Sequence, residues 1–396
     1  MFKLIVLLFS TIFLISCSSH KENIVKVIET PAGDSSLVPF LFTDKKGSLH
    51  FSWIEKNGKS ATLNHSRYEN KKWSGANKIA SGENWFVNWA DFPSICSDGK
   101  NNLIAHYLEK SDSGKFTYDV KYVLSSDNGK IWSAPQILNK DGKLAEHGFV
   151  SIKPYKENYF VSWLDGRNTV TDHSHAGHAM HQGEMTLRAA IIKKDGTMLD
   201  EWPLDHRVCD CCQTSVAITD NGPVVVYRDR SANEIRDIYI VRWENGKWTT
   251  PKAIFDDGWK IEGCPVNGPQ IDAKENHLAI AWFTTKNKEP EVKIIFSNDG
   301  GATMSNAIKV NEDNPLGRVA IKMMDKKSAM ITWMEGNAIK AMQVNKDGSK
   351  EKPVLVASSS ESRSAGFPQM AKLGNKFIFA WTDAKTHKIK MAEMER

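Results

Sequence analysis

Three of the six cysteines in this 396-residue chain fall within four positions, in HRVCDCCQTS at residues 206–215. These are Cys209, Cys211 and Cys212, and a fourth thiol, Cys264, sits in DDGWKIEGCPVNGP at 256–269. A second dense segment, LDGRNTVTDHSHAGHAMHQGEM at 164–185, carries His173, His175, His178 and His181 with Met180 and Met185. Thiolate, imidazole and thioether donors suit soft or borderline cations, so copper or zinc is the cofactor this donor set implies. A disulfide is the competing chemistry. Cys264 pairing with one of the three clustered thiols would staple two segments, and a Cys211–Cys212 bond would be strained and redox-labile. A third segment, YRDRSANEIRD at 227–237, offers Arg228, Asp229, Arg230, Arg236 and Asp237, which can grip an anionic or sugar ligand or brace one another. Arg167 and Arg207 add cations beside the histidine and cysteine segments, and Arg207 is placed to lower a thiol pKa. Trp85 and Trp89, in SGENWFVNWAD, supply flat aromatic surface for a glycan or protein. Cys96, in the strand DFPSIC, reads as a small buried hydrophobe.

Whether such thiols are reduced, oxidised or metal-bound depends on compartment. Lys3 precedes an apolar run from Leu4 to Ile15 that ends in Leu-Ile-Ser-Cys17. A basic start, a short apolar core and small residues before a cleavage point describe an export signal, too short to span a bilayer. The ending resembles the bacterial lipobox, which implies cleavage before Cys17, lipidation of its thiol (palmitate among the acyl groups), and, with Ser18 next, sorting to an outer membrane facing periplasm or cell surface. The expected division is a signal peptide at 1–16, a lipidated tether at 17–22 and one domain at 23–396. The five remaining cysteines then lie where disulfides are permitted, and their odd number leaves at least one unpaired within the chain. The net charge of +5 is spread over 52 basic and 47 acidic side chains with no basic block, which argues against a nucleic-acid partner.

What positions these segments is a repeat. LHFSWIE, LIAHYLE, YFVSWLD, PVVVYRD, LAIAWFT, AMITWME and FIFAWTD are one strand type, apolar, ending on an aromatic and then turning polar. The aromatics are Trp53, Tyr107, Trp163, Tyr227, Trp282, Trp333 and Trp381, spaced by 54, 56, 64, 55, 51 and 48 residues. Around each lie an earlier strand, a later one such as DIYIVRW, and a short fourth such as TTPKAI. Four short strands per repeat with turn residues between them make a propeller blade. The expected fold is therefore all-β, a seven-bladed propeller of four-stranded blades, with six blades if one copy is irregular. The last copy stops after its third strand, and NIVKVIE at 23–29 is left to fill the gap and close the ring.

The turn between third and fourth strands adds a signature. SSDNGKIW at 125–132 fits Ser-x-Asp-x-Gly-x-x-Trp, and SNDGGATM at 297–304 fits except for Met304. ENGKWTTP and ENKKWSG are eroded versions. With its repeats, the mature chain resembles the sialidase-like, BNR (Asp-box) propeller superfamily. That resemblance implies a structural role for Asp127 and Asp299, and an exo-glycosidase as one candidate activity. Sialidases in addition use three arginines, a Tyr–Glu nucleophile and an Asp acid/base. The first arginine lies in an Arg-Ile-Pro stretch whose nearest match here is Leu37-Val38-Pro39, so it is missing. Tyr227 ends a core strand, and Arg167, Arg228 and Arg318 form no assignable triad, so no catalytic residue is named and the enzymatic status stays open.

Strand parity sorts the remaining loops. In an antiparallel four-stranded blade, the loop entering the first strand and the loop joining second to third emerge on one face, and the Asp-box turns on the other. The histidine segment, the two cysteine segments, the arginine loop and the Trp85–Trp89 loop should then share an upper face. Three functions follow. One is an exported, lipid-anchored propeller that binds a ligand there, with a copper or zinc site or a redox-active disulfide. Another is a glycan-active hydrolase drawing on Asp91, Asp165, Asp229 or Glu262. The third is a non-catalytic scaffold binding protein or polysaccharide through Trp85 and Trp89.

Overall fold

The computed structural model describes residues 24–169 and 183–396. Seven antiparallel sheets follow one another along the chain. Blade 1 comprises Ser36–Thr43, Leu49–Asn57, Ser60–Glu69 and the short Lys72–Trp73 and Asn77–Gly82. Blade 2 has Ile95–Ser97, Leu103–Lys110, Tyr118–Ser125 and Gln136–Ile137, and blade 3 has His147–Tyr155, Asn158–Asp165, Thr186–Ile192 and Met198–Asp205. Blade 4 has Ser215–Thr219, Gly222–Arg228 and Ile238–Glu244, with Lys247–Trp248 and Lys252–Ala253 outside them. Blade 5 runs through Gln270–Lys274, His277–Lys286, Glu289–Ser297 and Ile308–Lys309, and blade 6 through Pro315–Met323, Ser328–Glu335, Ala338–Asn345 and Val354–Ser358. Blade 7 takes Gln369–Leu373, Lys376–Asp383 and Lys388–Glu395 from the C-terminus and its fourth strand, Val25–Ile28, from the N-terminus.

That last pairing closes the ring as the repeat count requires. Val25 stands opposite Met394 and Ile28 opposite Met391. Val25 packs into the core shared by blades 6 and 7, whereas Ile28 packs into the core between blades 7 and 1. The short strand therefore joins two inter-blade cores as well as capping an open edge.

The recurrent aromatic is the packing unit of each blade. Trp53, Trp163, Tyr227, Trp282 and Trp333 have no exposed surface, and Tyr107 and Trp381 are only 4% exposed. A buried indole still needs a partner for its N–H. Trp53 donates to Glu55, Trp163 to Asp165 and Trp333 to Glu335, each two residues on, at 2.8 Å. Trp282 reaches Asp257 at 2.7 Å in the preceding loop. In several blades the carboxylate also holds the cation directly across from the aromatic. Lys340 faces Trp333 and binds Glu335, Lys293 faces Trp282 and binds Asp257, and Lys390 faces Trp381 and binds Asp383. In blades 1, 3 and 6 the acidic residue two positions after the aromatic is thus the second half of a hydrogen-bonded pair.

Innermost strands begin with a bulge that reaches the neighbouring blade. Val38, Phe149 and Arg318 adopt φ near +50°, at register breaks in blades 1, 3 and 6. A non-glycine residue there is strained, and the neighbouring blade supplies the compensation. Val38 N–H donates to Thr382 at 3.2 Å, Phe149 N–H to Asp91 at 2.8 Å, and Arg318 N–H to Asn267 at 2.7 Å. On the lower face, Asp127 accepts the N–H groups of Lys130 and Ile131, and Asp299 that of Thr303, all at 3.0 Å. Trp132 returns its indole N–H to the Gly129 carbonyl, and Met304 packs against the blade 4–5 core.

Candidate functional site on the upper face

The loops assigned to one face by parity do meet. Val208 N–H donates to Met185 O and Cys209 N–H to Arg228 O, tying the cysteine segment to the end of the histidine segment and to the arginine loop. Arg236 N–H donates to Trp259 O and Ile261 N–H to Glu234 O, which ties the arginine loop to the segment carrying Cys264. Gly268 N–H then donates to Gln213 at 2.9 Å, and a Cβ at Gly268 would stand 2.1 Å from the Gln213 carbonyl oxygen. Only glycine permits that approach.

The thiols converge. Cys209 Sγ lies 3.8 Å from Cys211 Sγ and 3.6 Å from Cys212 Sγ, and all three sulfurs fit within 4.8 Å of one another. Cys264 approaches Cys211 from the next loop, within hydrogen-bonding reach. All four are free thiols, as is Cys96, which is buried in the core of blades 2 and 3 as expected. Cys209 and Cys212 are buried, Cys211 is half-buried and Cys264 is exposed. Burial pushes the Cys209 thiol up to about 11. Hydrogen bonding to Cys209 and Cys212, with burial, raises Cys211 well above the usual thiol range. Burial also works against the Cys212 thiolate, yet Cys209, Cys211, the Arg228 guanidinium and the Asn267 N–H together hold its pKa well below that range.

Arg236 Nη1 donates to Cys209 Sγ at 3.2 Å. The cation beside the thiols is thus Arg236, with Arg228 behind Cys212, rather than the adjacent Arg207. Arg207 turns away to Glu184 at 3.1 Å and Glu234 at 3.7 Å. Arg230 holds Glu234 at 2.9 Å and Asp210 at 3.6 Å. Arg228 is 1% exposed and is committed to backbone carbonyls, those of Arg236, Asn267 and Phe283, at 2.6 to 2.8 Å. Asp237 accepts the N–H groups of Gly258 and Trp259, and Asp229 is buried, its pKa pushed up to about 7 by burial and the nearby Asp205 carboxylate. This loop braces the thiols.

Two acidic networks lie alongside. Tyr118 OH is 2.9 Å from Glu146 and 3.0 Å from Asp91. A phenol has one proton for two carboxyl groups, so a protonated carboxyl group suits one of the two contacts. Burial agrees, raising Asp91 to about 7 and Glu146 well above its usual range. In the second network His147 Nδ1 faces the Tyr118 carbonyl at 3.2 Å, leaving Nε2 toward Asp141 at 2.9 Å and Asp165 at 3.8 Å. Arg167 closes it by a two-point bond to Asp165, at 2.7 and 2.8 Å, and reaches Glu201 at 3.0 Å. The guanidinium already occupies the position a cation would take.

Trp85 is stacked on Tyr107 with ring centres 4.2 Å apart and is nearly buried. Trp89 is half-buried, stacked on Phe367 at 5.7 Å and faced by Arg318 at 5.0 Å. Met185 belongs to the apolar core. Met180, His173, His175, His178, His181 and Cys17 lie outside the described residues. Glu146 and Asp210 were missed in the sequence. Asp210 was visible between two of the cysteines, while Glu146 has no local pattern to single it out.

No protein-family model matches the chain, and no curated protein is similar to it in sequence. Among solved structures, a protein of unknown function from Dyadobacter fermentans is similar over 94% of this chain and 98% of its own, at 12% identity and a TM-score of 0.50. The Hadza microbial sialidase Hz136 is similar at 14% identity and a TM-score of 0.44 over 76% of this chain, which spans 63% of that protein. A variant of the NanB sialidase from Streptococcus pneumoniae is similar at 13% identity and a TM-score of 0.46, over 93% of this chain and 70% of its own. In fold, this is a seven-bladed propeller. At residue level, Arg167, Arg228 and Arg318 are each engaged within the protein, Arg318 by the carbonyls of Glu361, Ser362 and Gly366.

Proposed function

We propose that this protein is an exported, lipid-tethered propeller whose upper face binds a soft metal ion, copper(I) or zinc, through Cys209, Cys211, Cys212 and Cys264. The observation that carries the reading is the separation of the sulfurs. Thiolates at about 2.3 Å from a tetrahedral ion stand about 3.8 Å apart, whereas a disulfide brings them to about 2.05 Å. The separations of 3.6 and 3.8 Å match the first value. Arg236 and Arg228 offset the charge that gathers when the thiols ionise, and the loop bonds fix Cys209, Cys211 and Cys212 before an ion arrives. The histidine segment ends beside this cluster, where Met185 O accepts from Val208 N–H, and His173, His175, His178, His181 and Met180 are proposed as outer ligands.

Elemental analysis and thiol counting on purified protein test the reading. Wild type should hold a stoichiometric soft metal that protects the clustered thiols from alkylation. Cys212→Ser should lose both. A metal-free protein whose Cys264 is found in a disulfide would replace this reading with the structural staple. Labelling with radioactive palmitate, lost in Cys17→Ser, tests the tether. A glycan on the same face is a second reading, favoured by half-buried Trp89 with exposed Arg363 at 5.9 Å from its ring. Catalysis has less support, because Asp91 and Asp165 are buried within internal bonds.

A further inference from the structure

The four sulfurs are not equivalent. Cys209, Cys211 and Cys212 come from one short segment, fixed at one end by the Cys209 N–H bond to Arg228 O and at the other by Gln213, which donates to Ala90 O at 2.6 Å. Cys264 comes from a different loop, and the loop is clamped on both sides of it. Before it, Gly258 and Trp259 donate to Asp237, and Ile261 to Glu234. After it, Asn267 O accepts from Arg228, and Gly268 rests on Gln213. Between the clamps lies the exposed run Glu262–Gly263–Cys264. A Cβ at Gly263 would meet nothing nearer than 3.9 Å, so the run has room to move. Three thiols are held in place, and one stands at the solvent boundary on a short free span.

We infer that Cys264 is an exchange ligand, which captures copper(I) at the surface and passes it to the three-thiolate seat of Cys209, Cys211 and Cys212. The metal is therefore cargo, taken from and returned to another soft-ligand carrier. This rests on the soft-metal reading above and adds to it the identity and direction of the ion. A structural zinc site takes four Cys or His ligands in a closed tetrahedron, which an exposed ligand on a free span does not favour. Copper(I) is satisfied by three soft donors and changes ligands through associative steps. Each step here forms one copper–sulfur bond as another breaks, with copper remaining monovalent and the displaced thiol protons leaving to water. Three thiolates and copper(I) sum to two negative charges, opposed by the Arg236 and Arg228 guanidiniums.

The test is copper exchange on reduced full-length protein, loaded from copper(I)–bicinchoninate and stripped by excess bathocuproine disulfonate. Wild type should take up a single copper(I). Cys264→Ser should keep that stoichiometry, with affinity within about threefold of wild type, while its copper is lost roughly tenfold more slowly. Cys209→Ser should lose the ion, with Cys211→Ser as a second seat variant should the first fail to fold. Loss of copper in Cys264→Ser, or an unchanged stripping rate, would overturn the exchange role while leaving the metal site in place. No uptake of copper(I) or zinc by wild type would overturn the site itself.

Discussion

Burial raises the Cys209 thiol and its thiol neighbours raise Cys211, so a soft cation gains three thiolates only by displacing the protons of these two. Apparent affinity should therefore rise with pH, by up to roughly a hundredfold per unit below the thiol pKa values. Competitive copper(I) titrations at pH 6, 7 and 8 check this, and a flat profile would mean the thiols are already ionised. Stability should respond to other residues. Burial holds His65 and His106 near pKa 3, far below the 6.5 of the unfolded chain. The unfolded state then binds more protons between those values, so their contribution is complete above about 6.5 and is lost as pH falls toward 3. His147, raised by Asp141 and Asp165 against its burial, runs the opposite way, contributing below its unfolded value and fading as pH rises through its folded one. Urea midpoints should be lower at pH 4.5 than at pH 7.5, and His106→Asn should reduce the difference. The residue scale is also where the sequence was least legible. Arginine-rich segments announced cations, but Arg228 finds its acceptors 39 and 55 residues away on backbone carbonyls, which carry no side-chain signal.

Strands and turns were far easier to read, because each repeats a local physical requirement. An apolar run must end somewhere, and in blades 1, 3 and 6 it ends on an indole that finds its acceptor two residues on. Trp333→Phe tests this unit. It leaves Glu335 without its 2.8 Å donor and should cost about 1–3 kcal/mol, seen as a lower urea midpoint with the m-value unchanged. Wild-type stability in that variant would mean Lys340 and the Glu312 and Asp313 N–H groups satisfy the carboxylate without the indole. Parity also worked at this scale, since alternating strand direction sends loops to fixed faces whatever their composition. It placed Cys264 beside Cys211 across more than fifty residues of sequence. It could not show that Asp91, Tyr118 and Glu146 would form one hydrogen-bonded network, because three different loops and strands must meet to within 3.0 Å to create it.

For the whole molecule, the seven aromatic repeats set the blade number, and the unfinished last repeat foretold the exchange that shuts the ring. Deleting residues 24–28 should uncover the Lys388–Glu395 edge and unseat Val25 and Ile28 from two cores. The expected result is a lower melting temperature and concentration-dependent self-association by light scattering. A monomer of unchanged stability would show that blades 1 and 7 hold together without the strand. The direction of that strand has a further consequence. It runs antiparallel to Lys388–Glu395, which descends from the upper loops, so the chain joins the ring from below, on the side of the Asp-box turns. Whatever holds the N-terminus, a bilayer or a bead, grips the protein by its underside, and the thiol loops look outward into open solution.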